Sequence, residues 1–296
     1  MKVAFYPGCV SKGACPELYV SAKAIAEPLG LQLEELTEAP CTGAGVLSEQ
    51  NPELADSLNG LTLAMAEAKD ADLMTICSTC QGVLSGVSYH LAKDEKRLEK
   101  VNATIGDQGF GLRYSGKTKV KHLLWMLFED IGLERVRAAI KYKLTGLKIA
   151  PFYGCYILRP NEQLGLNERP ERKTYLEQLI ALLGAEPVEY RGSTKCCGFP
   201  MLTFNRDKSL SMAGNHIIEA KDKGADLLVT PCPLCHLNLD GQQPDAARVL
   251  KTTIDVPIFH LPQLLGLAFG YSPKELRLDH HVVPTKGALE KIELKV

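Results

Sequence analysis

Nine of the ten cysteines fall into two sets of nearly the same pattern, an arrangement suited to binding soft metals. In the second half of the chain the set is Cys155, the adjacent pair Cys196-Cys197 followed by Gly198, and Cys232-Pro233-Leu234-Cys235. In the first half it is Cys9, Cys41-Thr42-Gly43 and Cys77-Ser78-Thr79-Cys80. Thr42 stands as far before Cys77 as Cys197 stands before Cys232, so a threonine holds the place of a cysteine. Thiolates donate charge to iron, copper or zinc and replace the metal's water shell, and a Cys-x-x-Cys turn holds two of them close together. Five thiols with an adjacent pair suit an inorganic core larger than one tetrahedral ion. The four-thiol set of Cys9, Cys41, Cys77 and Cys80 suits a conventional iron–sulfur cluster or zinc. The Thr42 hydroxyl stays protonated at neutral pH and is a poor ligand, so its expected part is to fill space and hydrogen-bond a ligand sulfur.

Simpler readings of the thiols account for less. A disulfide framework is not expected in a reducing compartment, nor does a chain of 296 residues need one. A thioredoxin-like redox pair does not explain why the Cys-x-x-Cys recurs at an equivalent place. Cys15 has no counterpart in the second set and reads as a buried bystander. Among other residues, His236 follows the last cysteine and can protonate a released thiolate, hydrogen-bond a cluster sulfur or cap local backbone. Lys195 sets a cation beside the pair, and His280-His281 reads as surface or interface. Gly43-Ala44-Gly45 lacks the later glycine of a dinucleotide fingerprint, so no nucleotide is expected there.

The elements that position these cysteines repeat as well. Short apolar runs at Val3 to Tyr6, Leu73 to Ile76, Ile149 to Tyr153 and Leu227 to Thr230 each end just before a cysteine and read as buried parallel strands. Residues 30–36 and 184–190 read as further strands leading to Cys41 and Cys196. Between them Glu17 to Leu29, Pro52 to Ala68, Tyr175 to Leu183 and Leu210 to Lys223 carry helical patterns. The class is therefore α/β, two tandem duplicated units, each an open and mostly parallel sheet with crossover helices, related by a pseudo-twofold. His122 and His260 each stand ten residues before a glycine, Gly132 and Gly270, in matching apolar stretches, and the boundary falls near Thr145-Gly146. This gives units of 1–145 and 146–296, each expected to have its own core. Ligands collect beyond the carboxyl ends of strands in such sheets, where Cys9, Cys77, Cys155 and Cys232 all fall.

The formal net charge of −1 offers no field for nucleic acid or an anionic membrane, although Lys93 to Lys121 is locally basic. Residues 123–128 and 264–269 are too short to span a bilayer and no signal peptide precedes the first strand, so a soluble, cytoplasmic protein is expected.

Cys…Cys-Cys-Gly…Cys-x-x-Cys, present twice, resembles the cysteine-rich CCG domain. With no preceding ferredoxin domain and with the ending at residues 265–281, the chain resembles the B subunit of heterodisulfide reductase and its heterodisulfide reductase-like relatives over nearly its whole length. That resemblance implies a noncubane [4Fe-4S] cluster held by Cys155, Cys196, Cys197, Cys232 and Cys235, acting as the catalytic centre of an oxidoreductase that converts a disulfide, thiol or persulfide. The first motif departs from the family at Thr42. There a second cluster is expected on Cys9, Cys41, Cys77 and Cys80, a cubane [4Fe-4S] first, with [2Fe-2S] or zinc behind it. The resemblance also implies partners: an iron–sulfur protein like the family's C subunit and, through it, a flavoprotein like its A subunit, because no dinucleotide motif is evident here. Two other readings stay open, an electron-transfer component of a succinate- or lactate-type oxidoreductase and a zinc-stabilised interaction module.

Overall fold

The structure, a computed structural model, describes residues 1–292. Its first half contains β1 (Lys2–Tyr6), β2 (Gln32–Glu35), β3 (Leu73–Thr75) and β4 (Val120–His122), and its second half β5 (Lys148–Pro151), β6 (Glu186–Pro187), β7 (Leu227–Thr230) and β8 (Ile258–His260). They form two four-stranded sheets of order β2-β1-β3-β4 and β6-β5-β7-β8, with every pairing parallel. The principal helices are α1 (Pro16–Ala26), α2 (Pro52–Ala68), α3 (Ser78–Lys93), α4 (Glu95–Asp107), α5 (Leu123–Glu129), α6 (Tyr175–Leu182), α7 (Arg206–Asp222), α8 (Gln243–Leu250) and α9 (Leu261–Ala268). The α/β duplication expected from the cysteine repeat is present. The expected strands are found within a few residues of their places. β4 and β8, which complete each sheet, escape a reading by pattern because they are only three residues long.

Each sheet reverses direction of growth between its first and third strands, and in a parallel sheet that reversal opens a crevice beyond the strand ends. The first cysteine of each set follows β1 or β5 and the Cys-x-x-Cys follows β3 or β7, so both crevices are lined by thiols. The Cys-x-x-Cys segments are helix starts and not free turns. Cys77 is the N-cap of α3, accepting from the Cys80 N–H at 3.5 Å, and Cys232 is the N-cap of the short helix Pro233–His236. A helix N-terminus favours a thiolate, and Pro233 at the first helical position forfeits no hydrogen bond.

The halves do not have separate cores. Alternate residues of the strands point to two apolar layers, and each layer draws on both sheets. Val3, Phe5, Ile149, Leu227 and Phe259 share one layer, while Ala4, Tyr6, Ala150, Leu228 and Ile258 share the other. Expectation fails here because pattern shows which face of a strand is apolar but not which half covers it. In the first layer the Phe128 and Tyr175 rings stack across the halves at 3.9 Å. Arg172 reaches from the second half over the Trp125 ring, 4.0 Å from its centroid, and donates to both Glu129 oxygens at 2.6 and 2.8 Å. The guanidinium holds the buried Glu129 carboxyl below its ordinary range, despite the opposing effect of burial. Arg172→Ala would leave that carboxylate with only two looser partners, Lys121 at 3.5 Å and Arg169 at 4.0 Å. We expect a loss of about 3 kcal/mol, read as a lower denaturation midpoint in Trp125 fluorescence; an unchanged midpoint would refute the bridging role.

The basic stretch after Lys93 is partly neutralised: Arg97 pairs with Asp56, Lys100 with Glu53, and Lys121 with Glu129 and Asp130.

Candidate metal centre

The structure brings all nine repeated cysteines to the adjoining carboxyl ends of the two sheets, and all ten cysteines are free thiols. In the second half the thiols act on one another along a string, Cys155 on Cys196, Cys196 on Cys197, Cys197 on Cys235 and Cys235 on Cys232. Cys232 then meets Cys77, and Cys77 meets Cys80. Cys9 and Cys41 lie 3.5 Å apart, and Thr42 donates its hydroxyl to Cys80 Sγ at 3.8 Å. The two sets thus touch each other at Cys77 and Cys232.

Crowded thiols cannot all ionise beside one another without a cation. Cys196 is held well below the ordinary thiol range because the Cys155 and Cys197 thiols hydrogen-bond to it, and Cys232 likewise because Cys235 and Cys77 do. Cys155, Cys197, Cys77 and Cys235 are pushed up, chiefly by giving their hydrogens to those neighbours. Cys9 is pushed up to about 11 by burial and then by Cys41. A metal core relieves this conflict by replacing the shared protons. The spread of the sulfurs bears on its size. Sulfurs around one tetrahedral zinc stand about 3.8 Å apart, given Zn–S bonds of about 2.3 Å. Among the described residues no three cysteine sulfurs lie within 4.8 Å of one another. Neither set is therefore gathered around a single point, although Cys9 and Cys41 are as close as two ligands of one ion.

Two small clefts, each of about 80 Å³, open on the sets. One is lined by Cys155, Cys196, Cys197, Cys232 and Cys235 with Val46, Tyr156, Phe199 and Leu234; the other by Cys9, Cys41, Cys77 and Cys80 with Thr42, Phe199 and Leu234. Ala44, Thr79, Phe199 and Leu234 line both, so one thin wall built from both halves separates them.

Glycines adjoin two of the thiols. Gly154, before Cys155, has φ +71°, and a Cβ there would stand 2.9 Å from Cys235 Sγ; Gly8, before Cys9, has φ +80° and a Cβ would stand 3.3 Å from Cys80 Sγ. At Gly198, beside the adjacent pair, a Cβ would meet Ser209 O at 2.9 Å, so the close approach it permits is that of α7.

Several supports leave no mark in the sequence pattern. His216 on α7 donates Nε2–H to Cys196 O at 3.0 Å, Asn238 donates to Cys197 O at 2.7 Å, and Ser209 to Gly198 O at 2.8 Å. His122 Nε2–H and the Ser78 hydroxyl donate to Pro231 O at 2.9 and 3.2 Å, so the first half fixes the loop carrying Cys232. The Thr79 hydroxyl stands 3.5 Å from Cys232 Sγ. Gly43-Ala44-Gly45, which lacks a nucleotide fingerprint, is wall material: all three residues have positive φ, and Ala44 O accepts from Tyr156 at 3.4 Å. A signal existed for His122, in its pairing with His260 at equivalent places.

Other sequence candidates lie elsewhere. Lys195 is exposed. His236 lines neither cleft; it is buried with its ring stacked on His260, centroids 3.8 Å apart, and burial holds it neutral. His280 is exposed, but the His281 side chain, expected at the surface or an interface, is buried and reaches His236 at 3.5 Å. Cys15 is buried as expected, among partners described below.

The family model described as "Cysteine-rich domain" matches twice, over residues 3–85 and 149–240. The 8-methylmenaquinol:fumarate reductase membrane anchor subunit of Wolinella succinogenes is 36% identical over 95% of this chain and 96% of its own. A protein of Archaeoglobus profundus like the B subunit of heterodisulfide reductase is 31% identical over 93% of each chain. The B subunit of the ferredoxin/F420H2-dependent CoB-CoM heterodisulfide reductase of Methanosarcina acetivorans is 28% identical over 98% of this chain and 97% of its own. A hypothetical protein from Helicobacter pylori of known crystal structure shares the fold with TM-score 0.76 and 16% identity; this chain covers about half, 51%, of its length.

Proposed function

Because the chain belongs to the cysteine-rich CCG family that includes the B subunit of heterodisulfide reductase, we propose that it is the iron–sulfur component of an oxidoreductase complex, performing redox conversion of a disulfide, thiol or persulfide at its C-terminal five-thiol centre. The observation that carries the reading is the contrast between the two sets. Cys155, Cys196, Cys197, Cys232 and Cys235 form one connected string beside an open cleft, while Thr42 interrupts the other.

Those five residues would hold a noncubane [4Fe-4S] cluster, and Cys9, Cys41, Cys77 and Cys80 a second centre, cubane [4Fe-4S] ahead of [2Fe-2S], with zinc as the alternative there. When bound, the first supplies single-electron reduction and an iron able to take up a substrate sulfur. The chain's own residues do the rest. Val46, Tyr156, Phe199 and Leu234 shed water from the cleft, and of its five cysteines Cys155 and Cys196 are half-buried where the others are buried. Cleaving a disulfide takes two electrons and two protons and leaves two thiols. The electrons come from an iron–sulfur partner like the family's C subunit, fed by a flavoprotein like its A subunit, and the protons enter from solvent at the exposed side. Units 1–145 and 146–296 are read as the two copies of one ancestral domain, differing in chemistry through Thr42.

A second reading is favoured by the fumarate reductase relative, the most identical of the three named above: both centres relay electrons and substrate is turned over elsewhere in the complex. The short wall between the sets suits relay. No helix among the described residues is long and apolar enough to cross a membrane, so an attachment of the kind named for that relative would need a surface or partner contact. Cytoplasmic placement belongs to the same proposal.

The test is anaerobic titration of the purified complex with a low-molecular-weight disulfide and with a persulfide, followed by electron paramagnetic resonance. The sulfur reading expects either compound to perturb the signal of the five-thiol centre. A signal that ignores both yet follows a quinol-linked partner would replace that reading with relay.

Thr42 offers a finer test. Thr42→Val removes the hydroxyl donated to Cys80 but keeps the volume, so metal content should stay and the reduction potential of the N-terminal centre should fall, by tens of millivolts or about 1 kcal/mol. Loss of half the iron would instead make Thr42 essential to that site.

A further inference from the structure

A third set of ligand-type side chains lies apart from the nine thiols. Cys15, Glu17, His236 and His260 are all buried, and one donor atom of each lies within 4.8 Å of all the others. That spacing suits a single ion, which none of the cysteine triplets does. The four come from three places in the fold. Cys15 is the N-cap residue of α1 and Glu17 lies in its first turn; His236 ends the short helix after Cys235; His260 ends β8. Glu17 and His260 are 243 residues apart, with Glu17 Oε1 3.0 Å from His260 Nε2.

The charge of the cluster points the same way. Glu17 is 4% exposed, and among the described residues no lysine or arginine pairs with it. An isolated buried carboxylate is costly, and two neutral imidazoles and a thiol do not balance it. A divalent cation on one thiolate, one carboxylate and two neutral imidazoles gives a site of zero net charge. One sulfur, two nitrogens and one oxygen in a closed, buried, four-ligand set is donor chemistry for tetrahedral zinc of the structural kind. Backing is present too: His281, which reaches His236, donates Nε2–H to Gln263 Oε1, 3.0 Å away, and the Gln263 amide donates to Leu276 O at 3.1 Å.

We propose that Cys15, Glu17, His236 and His260 bind one zinc ion that staples the N-terminal half to the C-terminal half behind the cysteine clefts. α1 and α9 already pack against each other here, with Tyr271 donating to Ala24 O at 2.7 Å across the same seam. The ion would fix the segment carrying Cys232 and Cys235 from the side away from the cleft, so its part is positioning.

The experiment is zinc and iron analysis of the anaerobically purified complex, with X-ray absorption at the zinc edge. We expect about one zinc per chain with one sulfur and three nitrogen or oxygen neighbours. A Cys9→Ser/Cys41→Ser variant should keep that zinc, and His260→Gln should lose it at least tenfold more readily to a chelator. If His260→Gln fails to fold, the same loss is expected of Cys15→Ser with the iron content unchanged. Zinc bound by four sulfurs and lost with Cys9 and Cys41, or no zinc in the wild-type complex, would overturn the proposal. None of these readouts depends on redox activity, so the sulfur-chemistry reading and the zinc site fail separately.

Discussion

Cys197→Ser is expected to remove the C-terminal centre and lower activity of the complex by more than about 100-fold. Removing a group behind a metal ligand already costs roughly 10- to 100-fold, and Cys197 stands in the middle of the five-sulfur string, between Cys196 and Cys235. Serine has nearly the same shape, and Asn238 would still hold the backbone through the carbonyl of residue 197. The fold should therefore survive, and N-terminal iron should stay. The check is iron content with turnover in the same preparation: about half the iron and no activity. Full iron with full activity would remove the five-thiol assignment altogether.

The second large effect is expected from Gly154→Ala. Positive φ disfavours any Cβ at Gly154, by about 1 kcal/mol, and here the Cβ would also press on Cys235 Sγ from 2.9 Å. Gly8→Ala is the comparison, because it also puts a Cβ on a positive-φ backbone, at a φ of +80° and ψ of 157° that glycine alone readily adopts, but leaves 3.3 Å to Cys80. Gly154→Ala should lose most of the C-terminal iron, whereas Gly8→Ala should keep most of the N-terminal iron at lower stability. Equal behaviour of the two variants, measured by iron content and thermal midpoint, would show that backbone strain decides and that the sulfur contact does not.

How much is legible in the sequence follows from the range of the interactions. The thiol repeat, the strands that end beside it and the helices between them are local patterns, and all are found. Thr42, a space-filler able to hydrogen-bond a sulfur by its chemistry alone, does set its hydroxyl against Cys80. What escapes depends on contacts between halves. Thr79 belongs by sequence to the first Cys-x-x-Cys, yet its hydroxyl sits on Cys232 of the second. Phe199 lines both clefts, and the apolar layers mix both sheets, because burial pattern does not name the covering surface. His236 follows the last cysteine of the second set, which makes it a candidate proton donor by sequence. The first turn of its helix instead points the ring toward His260 and Glu17, partners that no spacing rule could have joined to it.

The central claim is that both thiol sets hold iron–sulfur centres, and iron with acid-labile sulfide per chain, measured on anaerobically purified protein, tests it most directly. Two four-iron centres require about eight iron and about eight sulfide per chain, with about four of each remaining in Cys197→Ser. About four iron or fewer per chain in wild-type protein that is folded and never exposed to oxygen would contradict it.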